Sequence, residues 1–144
     1  MMQILTNAKE IERVIRPYCK QETIDWIRRC PEHPRRLEYF YGTVELIINE
    51  HGFALYAISN HVFLHLIYVS PQSRQKGHGK KLFTRLLERV QELHKDKLVF
   101  SVEQNNIQAL DFYKSFGYLP KYHKKSRYHY EITFRLEPTY NPQL

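Results

Sequence analysis

The run Arg74-Gln75-Lys76-Gly77-His78-Gly79-Lys80-Lys81 lies between a strand-like segment and an amphipathic helix, and that placement constrains the chain more than any other feature. Before it, His61 to Val69 is apolar and β-branched and is closed by the turn signal Ser70-Pro71. After it, Leu82, Phe83, Leu86, Leu87, Val90 and Leu93 recur at spacings of three and four, as one buried helical face requires. A strand, a glycine-bearing loop and a helix start make an anion site, because free N–H groups and the positive helix end point at the ligand. Arg74, Lys76, Lys80 and Lys81 add charge at the same place, so the loop suits a phosphorylated cofactor.

Two common phosphate loops do not fit. A dinucleotide fingerprint needs a third glycine where Leu82 stands, and a nucleotide-triphosphate loop needs glycine at Arg74 and a hydroxyl at Lys81. The plain alternative, a glycine turn before a solvated basic helix start, stays open on this loop alone. What remains, Arg74-x-x-Gly77-x-Gly79, resembles the acyl-CoA pyrophosphate loop of the GNAT superfamily of N-acetyltransferases.

A second segment adds to this resemblance. Lys97 to Val102 reads as a strand, followed by Glu103-Gln104-Asn105-Asn106 and a helical pattern in which Ala109, Phe112, Tyr113 and Phe116 share a face. Asn105 is the expected N-cap with Gln108 as its capping-box partner, and Gly117 is the expected stop. The stretch Val102-x-x-x-Asn106-x-x-Ala109-x-x-Phe112-Tyr113-x-x-x-Gly117-Tyr118 resembles the second signature of the same superfamily. The resemblance covers residues 40–136.

The rest of the chain reads as one domain without linker, repeat or low-complexity tract. Gln3 to Leu5 suits an edge strand. Thr6 or Asn7 can cap a helix with Ile11, Val14, Ile15 and Tyr18 on its apolar stripe, ended or kinked by Pro17. Glu22 to Arg29 suits a second helix carrying Ile24, Trp26 and Ile27, and Pro31 to Pro34 a loop. Leu37 to Ile48, Gly52 to Ile58 and His61 to Val69 then alternate as three strands of an antiparallel meander. Tyr118 to His123 and His129 to Leu136 close the chain as a hairpin, and the last residues read as a frayed tail. The fold class expected is α/β of the α+β type, which the resemblance sharpens to a mixed, mostly antiparallel sheet. Helices would lie on both faces, with a V-shaped splay between the two central strands. Within 1–144, the resemblance makes 1–36 a helical acceptor-side region, 37–136 the acyl-CoA-binding core and 137–144 the C-terminal tail.

The chemistry implied by the resemblance is transfer of an acetyl group from acetyl-CoA to an amine by direct attack in a ternary complex. An ammonium of ordinary pKa is only about one part in two thousand neutral at pH 7, so a base or a water relay helps. Tyr113 falls on the family's tyrosine beside the cofactor sulfur and is the candidate general acid. Asn106 falls where the family contacts the pantetheine arm, although a pure capping role is open to it as well. Ala109 and Phe112 belong to the same cofactor-binding helix, with Phe112 in the core. Backbone N–H groups at Ile67, Tyr68 and Val69 would hold the thioester oxygen, freed by the bulge that bends this strand in the family. Those of Gln75, Lys76, Gly77, His78, Gly79 and Lys80 would cradle the pyrophosphate, with Arg74 binding it or bracing the loop. Many relatives carry a glutamate base on the strand before the loop, and this strand has none. His65 is the nearest titratable substitute, and by alternation it should share a face with Ile67 and Val69, where it could equally be a satisfied core histidine. His61, Tyr68, Glu45 and a water chain stay open as bases.

Composition sets the partners. The formal charge is +7, with a second basic cluster at Lys121, Lys124, Lys125 and Arg127 among Tyr122, His123, Tyr128 and Tyr130. Such interleaving suits a solvated hairpin whose lysines only keep the protein soluble, or else nucleic acid or an acidic peptide, and the basic surface argues against polycationic acceptors. A non-catalytic CoA- or nucleic-acid-binding module on the same fold is therefore the alternative. The expected acceptor is a primary amine on a small molecule, a peptide or an RNA, with Trp26, Tyr39 and Tyr41 available to line its site. No metal site is expected, since Cys19 and Cys30 match no ligand spacing, and they fit a reducing cytoplasm. No leader or membrane span is read, and the chain is expected as a monomer or homodimer.

Overall fold

The computed structural model describes residues 2–29, 42–116 and 127–136, and the backbone of 121–124. Along the chain lie β1 (Gln3–Leu5), α1 (Ala8–Ile15), α2 (Gln21–Arg29), β2 (Thr43–Asn49), β3 (Gly52–Ile58) and β4 (Val62–Val69). They are followed by α3 (His78–Glu92), β5 (Lys97–Glu103), α4 (Ile107–Lys114), β6 (Lys121–Lys124) and β7 (His129–Arg135). The seven strands form one sheet in the order β1-β2-β3-β4-β5-β7-β6. Every neighbouring pair is antiparallel except β4 and β5.

Strand alternation feeds two cores. On β3, Ala54 and Tyr56 join the cluster under α3 and α4, while Phe53, Leu55 and Ala57 join the cluster under α1 and α2. A strand buried on both faces must read as continuously apolar, which is how Gly52 to Ile58 reads. Phe83 is the hub of the α3 face, with ring centroids 4.5 Å from Phe116, 5.2 Å from Tyr113 and 5.3 Å from Phe134. On the same face Arg89 forks onto the buried Glu45, with Nε and a terminal nitrogen each 3.0 Å from a carboxylate oxygen. The Tyr56 hydroxyl donates to Glu45 at 2.8 Å. Burial first, and Glu45 second, push the Tyr56 phenol far above its ordinary range.

Local signals account for the helix starts, with corrections. Asn7 caps α1 by accepting from the Glu10 N–H at 3.0 Å. The α-helix stops at Ile15, where Pro17 enters a single 3₁₀ turn. Tyr18 therefore leaves the apolar stripe and is 56% exposed. Asn106, not Asn105, caps α4, accepting from the Ala109 N–H at 3.1 Å, so Gln108 is not a capping-box partner. The expected strand start at Leu37, the Pro31 to Pro34 loop, Cys30, Tyr39, Tyr41, the Gly117 stop and the tail lie outside the described residues.

Candidate functional site

The central strands part. β4 and β5 run parallel but pair only at Val62↔Leu98 and Phe63↔Val99. Beyond that point a cleft of about 570 Å³ opens between Leu64–Ile67 of β4 and Phe100–Glu103 of β5, with Asn106, Ala109 and Tyr113 of α4 on one wall. β4 carries a bulge that helps to part the strands: Leu55 faces Leu66 and Tyr56 faces Leu64, which leaves His65 as the extra residue.

The bulge changes the face of His65. Val62 and Leu64, then Ile67 and Val69, pack toward α3, whereas Leu66 and Tyr68 pack toward α1 and α2. His65 turns with the latter pair and stacks on Trp26 of α2, centroids 4.1 Å apart at 13°. Strict alternation gave it to the face of Ile67 and Val69, because a bulge leaves no mark in a run of apolar residues. One imidazole face is covered by the indole and the residue stays exposed toward the cleft. Desolvation lowers its pKa, to about 4, so His65 is neutral at pH 7.

Backbone polarity along β4 follows from one bond. The Ser70 N–H donates to His51 O at 2.8 Å, toward β3. Successive N–H groups of an extended strand alternate, so those of Tyr68 and Leu66 also face β3 while those of Ile67 and Val69 face the parted side. The Val69 carbonyl lies on that side and accepts from Arg74 Nε at 2.9 Å. The Tyr68 side chain is on the far face, its ring 5.3 Å from that of Phe53.

The glycine loop joins this strand to α3. Pro71–Ser73 forms a 3₁₀ turn, Gln75 and Gly77 have φ of 63° and 83°, and Gly77 is the N-cap. The first helical bond is Lys81 N–H to Gly77 O at 3.1 Å. Among the described residues, the N–H groups from Gln75 to Lys80 make no hydrogen bond. No atom lies within 4 Å of a Cβ built on Gly77, and one on Gly79 would touch Phe112 at 3.6 Å. Arg74 and Lys76 brace the loop, the latter by donating from Nζ to Gln72 O at 3.1 Å. Lys80 Nζ lies 6.0 Å from the Phe116 ring. His78 stacks on His51.

Tyr113 lines the cleft from α4, its ring 4.5 Å from Phe100, and burial pushes its phenol up to about 12. Phe112 packs on Phe83 and Phe116, while Ala109 meets the cleft. Two other base candidates lie elsewhere: Glu45 is committed to Arg89 and Tyr56, and His61 sits at the far end of β4, 3.6 Å from Asp96. Three polar cleft residues are not among the site residues the sequence suggests, namely Ser101, Glu103 and His129. Glu103 and His129 are register partners across β5 and β7, a pairing that no local pattern reveals. In the basic hairpin, Arg127 lies 5.7 Å over the ring of the exposed Tyr128, and the side chains of 121–126 are outside the described residues. Among the described residues no metal-binding cluster exists, and no helix is long and apolar enough to cross a membrane.

Comparisons with known proteins agree with this architecture. The spermine/spermidine N(1)-acetyltransferase of Bacillus subtilis is 31% identical over 77 residues, covering 46% of this chain and 51% of the relative. The chain thus spans about half the length of that curated relative. The ribosomal-protein-S18-alanine N-acetyltransferase of Escherichia coli shares the fold, with a TM-score of 0.61 at 14% identity over 100% of this chain and 99% of that one. The PaiA N-acetyltransferase of Thermoplasma acidophilum, solved with coenzyme A, aligns with a TM-score of 0.59 at 13% identity over 94% and 99%. The model of the acetyltransferase (GNAT) family matches residues 10–118, and the chain belongs to that family.

Proposed function

We propose that this chain is an acetyl-CoA-dependent N-acetyltransferase that moves an acetyl group to a primary amine by direct attack in a ternary complex. The observation that carries this reading is the parting of β4 from β5 beside a loop whose N–H groups are unpaired. The N–H groups of Gln75 to Lys80, at the positive end of α3, suit a pyrophosphate, and the open space at Gly77 admits it. Asn106 spends its oxygen on the cap and keeps its amide N–H for the pantetheine arm. The Ile67 and Val69 N–H groups suit the thioester oxygen, where negative charge develops as the amine attacks. Bound acetyl-CoA supplies the activated acyl carbon and a thiolate leaving group. Tyr113 donates its phenolic hydrogen toward that sulfur.

The geometry around His65 favours a reading without a histidine base. His65, with its depressed pKa, has little driving force to take a proton from an amine. Glu103 instead offers a negative charge at the cleft that gathers the ammonium in an otherwise basic protein, while the proton itself is released to water. The acceptor then reacts as its small neutral fraction. The curated relative named above is a polyamine acetyltransferase, so spermidine belongs in the acceptor panel with L-amino acids and a peptide bearing a free N-terminus.

The test is thermal melting with excess acetyl-CoA, followed by CoA release with that panel. A ligand at a hundred times its Kd stabilises by about 2.7 kcal/mol, a rise of about 5–10 °C for a chain of this size. No shift at millimolar acetyl-CoA would refute the cofactor reading. A shift with no release from any amine would leave a non-catalytic CoA-binding module.

A further inference from the structure

The glycine loop is held from outside its own sequence. His51 belongs to the β2–β3 turn, and its backbone carbonyl accepts from the Ser70 N–H at 2.8 Å. Its Nδ1 lies 3.0 Å from Ser73 Oγ, which also accepts from Ser70 Oγ at 3.1 Å. Ser73 is buried, a rarity for a hydroxyl on a loop. Since Ser70 donates to it, Ser73 has its own hydrogen free for His51 Nδ1, which makes the neutral Nε2–H tautomer the fitting one. That Nε2 is 3.4 Å from the Glu50 carboxylate. The imidazole of His51 then stacks on His78, the first residue of α3, with centroids 3.6 Å apart at 19°. His78 directly follows Gly77, among the unpaired N–H groups assigned above to the pyrophosphate.

Two imidazoles face to face at this distance do not both become imidazolium cations, since like charges so close repel. Around them Lys76 of the loop and Lys81 of α3 disfavour a proton on His78, and Glu50 of the turn favours one. Desolvation first, then His51 and these lysines, hold His78 below the ordinary imidazole value in the free protein. A pyrophosphate arriving at the start of α3 reverses that balance by placing negative charge beside the ring. We propose that His51 is a positioning residue for the cofactor loop, and that the stacked His51–His78 pair couples binding of the CoA phosphates to uptake of one proton. This rests on the cofactor reading above and adds a regulation of the same site. The sign follows directly: the bound state holds more protons, so affinity rises as pH falls through the interval between the free and bound pKa values of His78.

The experiment is calorimetric titration of the full chain with dephospho-CoA from pH 6 to 8, in two buffers of different ionisation enthalpy. Dephospho-CoA is the probe because it lacks the terminal phosphate monoester, whose own second ionisation falls in this range. The expected result is uptake of up to one proton per ligand and affinity that weakens as pH rises. His78→Asn should abolish the uptake. His51→Phe keeps a ring on His78 but removes the Ser73 acceptor, and it should weaken binding about 3- to 10-fold, as the loss of one hydrogen bond does. His51→Gln, which restores an acceptor, should recover much of that affinity without restoring the full pH dependence. Binding with no proton uptake, or uptake unchanged in His78→Asn, would overturn the proposal while leaving the cofactor assignment intact. No binding of dephospho-CoA or of CoA itself would overturn the cofactor assignment and the proposal with it.

Discussion

Replacing Tyr113 by Phe tests how the thiolate leaves. The phenol is held up at about 12 by burial, so it is protonated at any pH where the protein would be assayed. A thiol has an ordinary pKa of about 8.5. Complete transfer from a phenol at 12 to such a thiolate is therefore uphill by about 3.5 units, or about 5 kcal/mol. The raised value makes Tyr113 a reluctant acid and a permanent hydrogen-bond donor. Its contribution is then that of a hydrogen bond to a charge that grows as the C–S bond breaks, about 1.5–3 kcal/mol. That corresponds to a fall in kcat of about 10- to 150-fold. Phe fills nearly the same space against Phe83 and Phe100, so the fold should tolerate the change. The assay is single-turnover acetylation with saturating acetyl-CoA, alongside a direct Kd for CoA and a melting curve. Expected are the stated fall in rate, a Kd within about threefold, and a Tm within a few degrees of the parent. An unchanged rate removes Tyr113 from the chemistry. A fall beyond a thousandfold would mean full proton transfer, and the argument from the raised pKa would be wrong.

Other perturbations separate stability from binding. Gly79→Ala puts a methyl at ordinary contact distance from Phe112, 3.6 Å, and Val69, 3.7 Å, in the first turn of α3. It should raise Tm slightly through helix propensity, by up to about 1 kcal/mol, while lowering CoA affinity; an equal or tighter Kd would exclude close cofactor approach there. Gly77→Ala meets no atom within 4 Å but must hold φ at 83°, so it should cost about 1–2 kcal/mol of backbone strain, read as a lower urea midpoint at unchanged slope. Glu45→Gln takes from Arg89 its buried partner and leaves it the partly exposed Glu92 at 3.4 Å, and a loss of about 1–3 kcal/mol is expected by urea unfolding, with CoA affinity retained. For the pH dependence, kcat/KM should climb tenfold per unit from pH 6 toward the pKa of the acceptor amine without a plateau near 6.5. A plateau there would restore a histidine base.

What the sequence disclosed and what it hid divide along a physical line. The glycine loop was legible because its chemistry is local: a left-handed Gly77, unpaired N–H groups and a helix start are all neighbours in the chain. The elements were legible for the same reason, since Leu82, Phe83, Leu86, Leu87 and Val90 lie at helical spacing and are buried together. The cap of α4 was misread by one residue because Asn105 and Asn106 are chemically identical and only the backbone angles distinguish them. The register partners Glu103 and His129 lie 26 positions apart and meet only once β5 pairs with β7. The two faces of β4 were misjudged because an alternation argument assumes an unbroken pleat.

That last failure bears on function. The family resemblance announces a bulge in β4, but the residues of the strand do not mark where it falls, and the bulge has two consequences at once. It turns His65 out of the face of Ile67 and Val69 onto Trp26, and it accompanies the loss of pairing with β5 just past Phe63. A sheet that kept its regular pleat would bond β4 to β5 along their length and close the cleft. The Ile67 and Val69 N–H groups would then be spent on the ladder, where they could not meet a developing oxyanion. The unmet backbone bonds are a cost to the fold, and they persist at the point where two strands and Tyr113 bound one space. The same logic explains why His65, the most chemically inviting side chain on the strand, is a poor base: the distortion that opens the site also packs it against an indole. In the proposed reaction the proton is then left to water, and the Glu103 carboxylate across the cleft serves to gather the ammonium. If Glu103→Gln raised the acceptor KM without changing the Kd for CoA, and His65→Phe left both unchanged, the division of labour between the two walls would follow.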